Sequence, residues 1–232
     1  MFRALARNIL RAIDHVLFPP HCLISGQPLG DEDTLLPSVH DDAWFDLPPA
    51  PSPDMILAML ARHFGPDDLL ISDAHALVSI DDEGAVLPLV HAIKYGGRST
   101  LAAACGRVLG ELMLDRGVTC DVIVPVPIHR ARMRERGYNQ AALIGTGISQ
   151  ALQCPTVEAL RRHRYTGTQT ALDAARRRSN VVNAITANRS LSGAHVLLVD
   201  DVLTTGSTLQ ACAEPLIVAG ARRITIATIA VA

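Results

Sequence analysis

Three short apolar runs rich in Val and Ile most strongly constrain how this chain can fold. They are DVIVPVP at 121–127, HVLLV at 195–199 and RITIATIAV at 223–231. Continuous apolar runs of this length are typical of strands that are buried on both faces of a parallel sheet. Segments with helical spacing of apolar residues lie between or before them, at 86–93, 100–114, 139–152 and 207–218. The pattern predicts an α/β fold with a mostly parallel sheet and helices on both faces.

The first third of the chain lacks this regularity. Apolar spacing with three intervening arginines predicts an amphipathic helix over 1–16, and the stretch 19–54 contains eight of the 14 prolines and predicts irregular structure. A short helix at 55–64 and a strand at 74–80 follow, and a further short strand is expected at 156–160. The sequence therefore predicts a small helical and irregular region at 1–74, and one larger domain at 75–232.

Charge and cysteine usage narrow the classes of function. Residues 1–93 carry a net charge of −10, and residues 94–232 carry +8, with ten arginines between positions 130 and 178. Such a concentration favours an anionic ligand in the second part of the chain. The five cysteines are scattered and never form a C-x-x-C pair, which argues against a disulfide framework. No stretch reaches the ~18 apolar residues of a membrane span, and we expect a cytoplasmic protein.

The segment DDVLTTGSTL at 200–209 follows the HVLLV run and precedes a predicted helix. The start of a helix presents backbone N–H groups and a partial positive charge, both of which suit a phosphate. Asp200 and Asp201 would repel a phosphate and suit sugar hydroxyls instead. The alternative is an ordinary helix N-cap with favourable acidic residues. Gly206 lets the backbone approach an anion. Hydroxyl groups are supplied by Thr204, Thr205, Ser207 and Thr208.

Two arginine-rich segments could contact the same anion. The first is PVPIHRARMRERGYNQ at 125–140, which has arginines at alternate positions. Arginines with this spacing would not share one face of a helix, so the sequence predicts a loop. The second, at 161–180, is polar and poorly periodic, as a mobile lid would be. Arginine forks bind phosphate oxygens bidentately. A solvated arginine surface and a contact to a nucleic-acid backbone are the alternatives.

Together, these segments resemble the ComF competence-protein family, within the type I phosphoribosyltransferase superfamily. The resemblance covers roughly residue 75 to the end. The matching features are KYGG at 94–97, the PVP…RGYNQ block, the Thr168-Gln169 pair with Leu172, Arg177 and Asn180, and VDDVLTTGSTL at 199–209.

The resemblance implies 5-phosphoribosyl-1-pyrophosphate (PRPP) as the ligand, bound with Mg²⁺. Asp200 and Asp201 would be the catalytic acidic pair that holds the ribose hydroxyls, and residues 204–208 would hold the 5′-phosphate. A diphosphate loop would contain Arg130, Arg132, Arg134, Arg136 and Gly137. A flexible loop that closes over PRPP would contain Arg164, Thr168, Gln169, Arg177 and Asn180.

The chain departs from the family in its first part. ComF proteins usually begin with a cysteine-rich zinc module, whereas here Ser25 stands where the second cysteine of a pair with Cys22 would be, and no other cysteine precedes Cys105. Tetrahedral zinc needs four ligands. The sequence therefore predicts a degenerate module and no bound zinc.

Lys94 has two interpretations. It lies just before two glycines, where it could be a helix C-terminal cation ahead of a glycine cap. The alternative is a contact with a phosphate of the ligand.

Three functions follow from these features. An enzyme would transfer the phosphoribosyl group from PRPP to a nucleobase or an amine. A non-catalytic adaptor would bind PRPP or a related sugar phosphate and act with a competence or DNA-processing protein in DNA uptake. A surface for single-stranded DNA is the weakest of the three, because such surfaces also need aromatic residues and only Tyr138 and Tyr165 stand within the arginine segments.

Overall fold

The computed structural model describes residues 20–30, 34–82, 84–95, 97–163 and 185–232. Its central sheet has four parallel strands, which are β1 (Asp73–Ser79), β2 (Val122–Pro125), β5 (His195–Leu203) and β6 (Arg223–Val231). They lie in the order β1-β6-β5-β2 across the sheet. A separate antiparallel pair consists of β3 (Leu160–Arg162) and β4 (Ile185–Ala187). The predicted α/β class and parallel sheet are confirmed.

Helices cover both faces of this sheet, as predicted. Leu101 and Ile144 belong to the core on one face, while Leu60 and Leu216 belong to the core on the other. Most predicted bounds hold to within two residues. The helices of the described residues are α1 (Asp41–Phe45), α2 (Pro53–Phe64), α3 (Leu87–Tyr95), α4 (Ser99–Asp115), α5 (Arg130–Arg136), α6 (Gln140–Leu152) and α7 (Ser207–Val218).

The first arginine segment corrects the prediction of a loop, because residues 130–136 form helix α5. His129 begins the helix as an N-cap whose Nδ1 accepts from the backbone N–H of Ala131 at 3.1 Å. Gly137 ends it in the left-handed conformation (φ 80°), and its N–H donates to the carbonyl of Met133 at 2.9 Å. Local capping at both ends therefore stabilises a helix that apolar periodicity did not indicate.

The strand expected at 156–160 is also wrong. Thr156 forms only an isolated bridge with Ile123 of β2, and the true strand begins at Leu160. Thr156 instead donates its hydroxyl hydrogen to the carbonyl of Gly145 in α6, at 3.1 Å. The segment runs beside β2 for only a few residues. Its backbone forms hydrogen bonds with Ile123 of β2, while the Thr156 side chain bonds to helix α6.

The described part of the N-terminal region packs on the same core as the sheet. Leu36, Val39 and Trp44 are buried together with Val78 and Ile229. The division at 74/75 stays a prediction, although β1 already begins at Asp73. The predicted helix over 1–16 lies outside the described residues. No helix within the described ranges combines the length and apolar character that a membrane crossing requires.

Cys22 holds a turn in this region. Its Sγ accepts from the backbone N–H groups of Ser25 and His40, both at 3.4 Å. Burial raises the pKa of the Cys22 thiol, but hydrogen bonds from the Ser25 side chain and from the backbone of Ser25, His40 and Ile24 outweigh burial and lower the pKa to about 7. The described ranges contain no group of three or more His, Cys, Asp or Glu side chains that could hold a metal ion. The absence of zinc stays a prediction, which elemental analysis of the purified protein tests.

Candidate functional site

A cavity of about 200 Å³ lies beyond the C-terminal ends of β2 and β5. Ligands of parallel α/β sheets bind at this edge. Because β2 and β5 are neighbours in the sheet, the two segments that follow them meet there. The lining residues are Lys94, Val126, Pro127, Ile128, His129, Arg132, Arg136, Gln140, Arg162, Asp200, Asp201 and Thr208.

The two aspartates lie within β5, near its C-terminal end, and differ in their partners. Oδ1 of Asp200 accepts from the backbone N–H of Asp201 at 2.9 Å. Asp201 is only 5% exposed, and its Oδ1 lies 3.6 Å from Nζ of Lys94. Its Oδ2 is buried and has no hydrogen-bond partner among the described residues. A buried carboxylate oxygen without a donor is costly, so it favours a ligand that supplies one.

The carboxyl group of Asp200 is hard to ionise in this arrangement. Burial and the adjacent charge of Asp201 raise its pKa to about 7, although the N–H of Asp201 and the cations of Lys94 and Arg162 oppose the rise. Perturbed carboxyl groups of this kind are concentrated at functional sites.

Lys94 projects into the site from the last turn of α3. It is a cation at a helix C-terminus, in agreement with the first interpretation, and its Nζ lies near Oδ1 of Asp201. Contact with a phosphate stays a prediction. The sequence did not indicate that its partner in the unliganded chain is a carboxylate.

Helix α5 contributes two arginine side chains to the lining of the cavity. Arg132 and Arg136 are four residues apart, so they share one face of the helix and both line the cavity. The guanidinium of Arg136 lies over the ring of Tyr95 at 4.9 Å, and its Nη2 donates to the Tyr95 hydroxyl at 3.4 Å. Its Nε is buried without a hydrogen-bond partner among the described residues. Arg162, from β3, also lines the cavity.

Gln140 is a site residue that the sequence prediction missed. Asn139 caps α6 by accepting from the N–H of Ala141 at 3.1 Å, and it joins the helix to the segment after β2 by donating to the carbonyl of Val126 at 3.0 Å. This arrangement places Gln140 at the cavity, where it is 6% exposed and its Oε1 has no partner in the described ranges. The signal in the sequence was its position at the start of a helix that follows a strand and an arginine segment.

The hydroxyl-rich turn borders the cavity through Thr208. Gly206 begins α7 with φ 77°, and a Cβ at this position would collide with the side chain of Leu60 in α2. The hydroxyls of Thr205 and Ser207 lie 2.9 Å apart. The glycine is therefore required by its left-handed backbone and by the helix that packs against it.

The structure brings together part of the predicted set. Lys94, Arg132, Arg136, Asp200, Asp201 and Thr208 line the cavity, while Thr204, Thr205, Gly206, Ser207, Arg130, Arg134 and Gly137 are not among its lining residues. The predicted flexible-loop residues Arg164, Thr168, Gln169, Arg177 and Asn180 lie outside the described ranges. His129, Gln140 and Arg162 line the cavity but were not predicted as site residues.

The arrangement has a defined chemical character. The cavity is lined by acceptors, in the acidic pair and Gln140, and by cationic donors, in Lys94 and the arginines of α5. A fitting ligand carries both hydroxyl hydrogens and anionic oxygens. A small sugar that bears phosphate groups has this combination.

Comparison with known proteins identifies the relatives of the chain. The family model "Phosphoribosyl transferase domain" matches residues 139–231. The DNA utilization protein YhgH of Escherichia coli K12 is 38% identical over 157 residues, which cover 65% of this chain and 69% of that protein. Competence protein F of Haemophilus influenzae is 40% identical over 94 residues, covering 39% and 41%. Competence protein ComFC of Bacillus subtilis is 33% identical over 99 residues, covering 43% and 39%.

Solved structures show more distant similarity. The glutamine PRPP amidotransferase of B. subtilis has a TM-score of 0.43 and 22% identity, with 60% of this chain and 30% of that chain covered. A purine phosphoribosyltransferase of Pyrococcus horikoshii has a TM-score of 0.34 and 23% identity, with 55% and 70% covered. From the family model and the sequence relatives, this chain belongs to the ComF family, within the type I phosphoribosyltransferase superfamily.

Proposed function

We propose that the chain binds PRPP with Mg²⁺ in this cavity and transfers its phosphoribosyl group to a nucleobase or an amine. The observation that carries the proposal is a cavity at the sheet edge that is lined by both acidic and cationic side chains. In it, Asp201, Gln140 and Arg136 each keep a buried polar atom without a partner among the described residues. Ribose hydroxyls satisfy the acceptors, and diphosphate oxygens satisfy the guanidinium.

Each group has a role in the proposed reaction. Breaking the anomeric bond builds positive charge on the ribose, which the carboxylates of Asp200 and Asp201 stabilise. Arg132 and Arg136 neutralise the charge of the departing pyrophosphate. The ribose hydroxyls replace the contact between Lys94 and Asp201, and Lys94 then becomes available to a phosphate oxygen. The 5′-phosphate lies at the start of α7, near Thr208.

Mg²⁺ fits this arrangement because the pyrophosphate and ribose oxygens of the ligand would hold it, and the acidic pair Asp200 and Asp201 lines the same cavity. When bound, the ion makes pyrophosphate a better leaving group. The predicted flexible loop at 164–180 would exclude water from the reaction.

Two measurements test the proposal. Calorimetry with Mg-PRPP measures binding, and release of pyrophosphate across a panel of nucleobases and amines measures transfer. We expect binding by the natural chain and no binding by the double variant Asp200→Asn, Asp201→Asn, with unchanged circular dichroism. A folded natural chain that fails to bind Mg-PRPP contradicts the proposal.

A second candidate is an adaptor that binds PRPP or single-stranded DNA without catalysis and meets a competence or DNA-processing partner. Relatives named for DNA utilization and competence support it. So does Tyr95, which is 61% exposed, is held by Arg136 beside the cavity, and was not considered in the sequence analysis. An exposed ring beside a guanidinium is a stacking surface for bases.

The two candidates give different results in the same assays. An adaptor binds PRPP or a fluorescent single-stranded oligonucleotide and releases no pyrophosphate with any acceptor. Tyr95→Ala then weakens binding of the oligonucleotide more than it weakens binding of PRPP, because Tyr95 is not among the cavity-lining residues and acts on the cavity through Arg136. Equal oligonucleotide binding by both chains excludes Tyr95 as a stacking residue.

A further inference from the structure

Two cysteines lie together on the side of the sheet away from the cavity. Sγ of Cys120 and Sγ of Cys154 are 2.9 Å apart, although 34 positions separate them in sequence. A disulfide bond is roughly 2.05 Å long. Cys154 is buried, and Cys120 is partly exposed. The pair takes no part in the proposed site.

The backbone around the two cysteines already holds them in register. Cys120 precedes β2, and Cys154 follows α6. The N–H of Ile123 donates to the carbonyl of Pro155 at 2.9 Å, and the N–H of Val157 donates to the carbonyl of Ile123 at 2.8 Å. These bonds fix two adjacent parallel segments. Closure of a sulfur–sulfur bond therefore needs a small side-chain movement and little change in the backbone.

We propose that Cys120 and Cys154 form a reversible disulfide by exchange with a low-molecular-weight disulfide such as oxidised glutathione. The thiolate of Cys120 attacks one glutathione sulfur and releases the first glutathione thiolate. The thiolate of Cys154 then attacks Sγ of Cys120 and releases the second. Two protein thiols are oxidised, one glutathione disulfide is reduced to two thiols, and the two protons end on glutathione.

The surroundings of the pair set the rate of this exchange. Burial raises the pKa of both thiols, the partner thiol raises that of Cys120 further, and the nearby carboxylate of Asp121 raises both. A hydrogen bond from Cys120 favours the thiolate of Cys154. Since the thiolate is the attacking species, exchange is slow near neutral pH and becomes faster as the pH rises.

The disulfide stabilises the fold and leaves the ligand site unchanged. It joins the start of β2 to the end of α6, whereas the cavity is bounded by the opposite ends of these two elements. Crosslinking residues far apart in sequence restricts the unfolded chain. We expect the Tm of the oxidised chain to rise by about 5 to 10 °C. This inference is independent of the proposed function.

The full chain is incubated with oxidised glutathione at pH 8.5, quenched with acid, alkylated in denaturant and digested with trypsin. Cys120 and Cys154 fall in separate peptides, 117–130 and 137–161. We expect these peptides to be linked, alkylated thiols to fall from five to three, and dithiothreitol to reverse both changes. The thermal unfolding of oxidised and reduced natural chain is then compared.

Matched variants identify the pair. Cys120→Ser should keep four alkylatable thiols, whereas Cys154→Ser should stop at a mixed disulfide between Cys120 and glutathione. Neither variant should form an intramolecular link or show the rise in Tm of the natural chain after the same treatment. The proposal is overturned if the folded natural chain keeps five thiols or stops at a mixed disulfide with glutathione. It is also overturned if another pair of cysteines becomes linked.

Discussion

The carboxyl group of Asp200, in the candidate site, lowers the stability of the fold when it is ionised. Its pKa is raised from an ordinary 3.8 to about 7, first by burial and then by the charge of Asp201. Between these two values the folded chain binds a proton that the unfolded chain does not. The stabilising effect of that proton is therefore present at low pH and is lost as the pH rises through 7.

Asp200→Asn should consequently stabilise the chain at pH 8 while it removes ligand binding. The amide keeps an acceptor for the N–H of Asp201 and removes the buried charge. We expect a gain in unfolding free energy on the order of 2 kcal/mol at pH 8, and a much smaller gain at pH 5. Urea unfolding at both pH values measures it. A variant that is less stable than the natural chain at pH 8 contradicts this account of the pKa.

At the residue scale, the sequence indicated the acidic pair because two carboxylates after an apolar run are conspicuous in one dimension. It could not show that Lys94 contacts Asp201, because 107 positions separate two residues that meet only through the packing of α3. Gln140 was missed for a related reason. Its polar side chain is ordinary at the start of a helix, and only its burial beside the cavity gives it a candidate role.

At the scale of elements, helix α5 makes its four arginines unequal. Arg132 and Arg136 line the cavity, whereas Arg130 and Arg134 do not. We expect Arg132→Ala and Arg136→Ala each to weaken binding of Mg-PRPP by about tenfold or more, because each removes a charged hydrogen bond to phosphate.

The matched controls are Arg130→Ala and Arg134→Ala, which remove the same charge from the same helix. Calorimetry should find their affinities within about twofold of the natural chain, since their loss acts only through long-range electrostatics. Equal losses for all four variants would instead indicate that the segment binds the anion as a loop.

Gly206 connects the hydroxyl-rich turn to helix α2. In Gly206→Ala, the new Cβ meets the side chain of Leu60 while the backbone stays at φ 77°. We expect a loss of about 2 to 4 kcal/mol of stability, from backbone strain and overpacking together. Gly137→Ala has a similar φ of 80° and nothing within 4 Å of its Cβ.

The comparison of these two alanine variants separates the causes. Gly137→Ala should lose only about 1 kcal/mol, from strain alone. Adding Leu60→Ala to Gly206→Ala should cost less than the two single changes predict together, because it removes the collision. Thermal or urea unfolding of all the variants tests this, and strict additivity would argue against contact between Gly206 and Leu60.

Elements were predictable where one physical signal dominated. The runs at β2, β5 and β6 form strands. The bounds of β2 and β6 lie within two residues of the prediction, whereas β5 continues four residues beyond the predicted run, to Leu203. Helix α5 failed because its surface carries no apolar stripe and none of its residues is buried. The helix depends on His129, which caps its start, and on Gly137, which ends it. The prediction rested on the alternation of arginines and did not take these two capping residues into account.

At the scale of the whole molecule, the described part of the N-terminal region does not have a core of its own. Trp44 and Leu36 share one buried cluster with Val78 of β1 and Ile229 of β6. On the other face, Ile56 and Leu60 of α2 pack with Leu203 and Leu209. The resemblance to the family begins near residue 75, but a boundary in the sequence does not report which surfaces become buried against each other.

The single tryptophan allows a direct test of this shared core. Trp44 is 8% exposed and is the only tryptophan in the chain, so its fluorescence reports on the N-terminal region alone. Far-ultraviolet circular dichroism reports chiefly on the helices and strands from α2 onward. We expect urea unfolding by the two probes to coincide in midpoint and slope, as for one cooperative unit.

Ile229→Ala provides the matched perturbation, because Ile229 lies in β6 and shares the cluster with Trp44. Truncating a buried isoleucine should remove about 2 to 4 kcal/mol, and it should lower the midpoints of the fluorescence and dichroism transitions equally. If the fluorescence transition of the natural chain came at lower urea and did not move in Ile229→Ala, residues 1–74 would unfold separately. The boundary at 74/75 would then separate two regions that unfold independently, and the contacts of Trp44 would contribute little to the stability of the sheet.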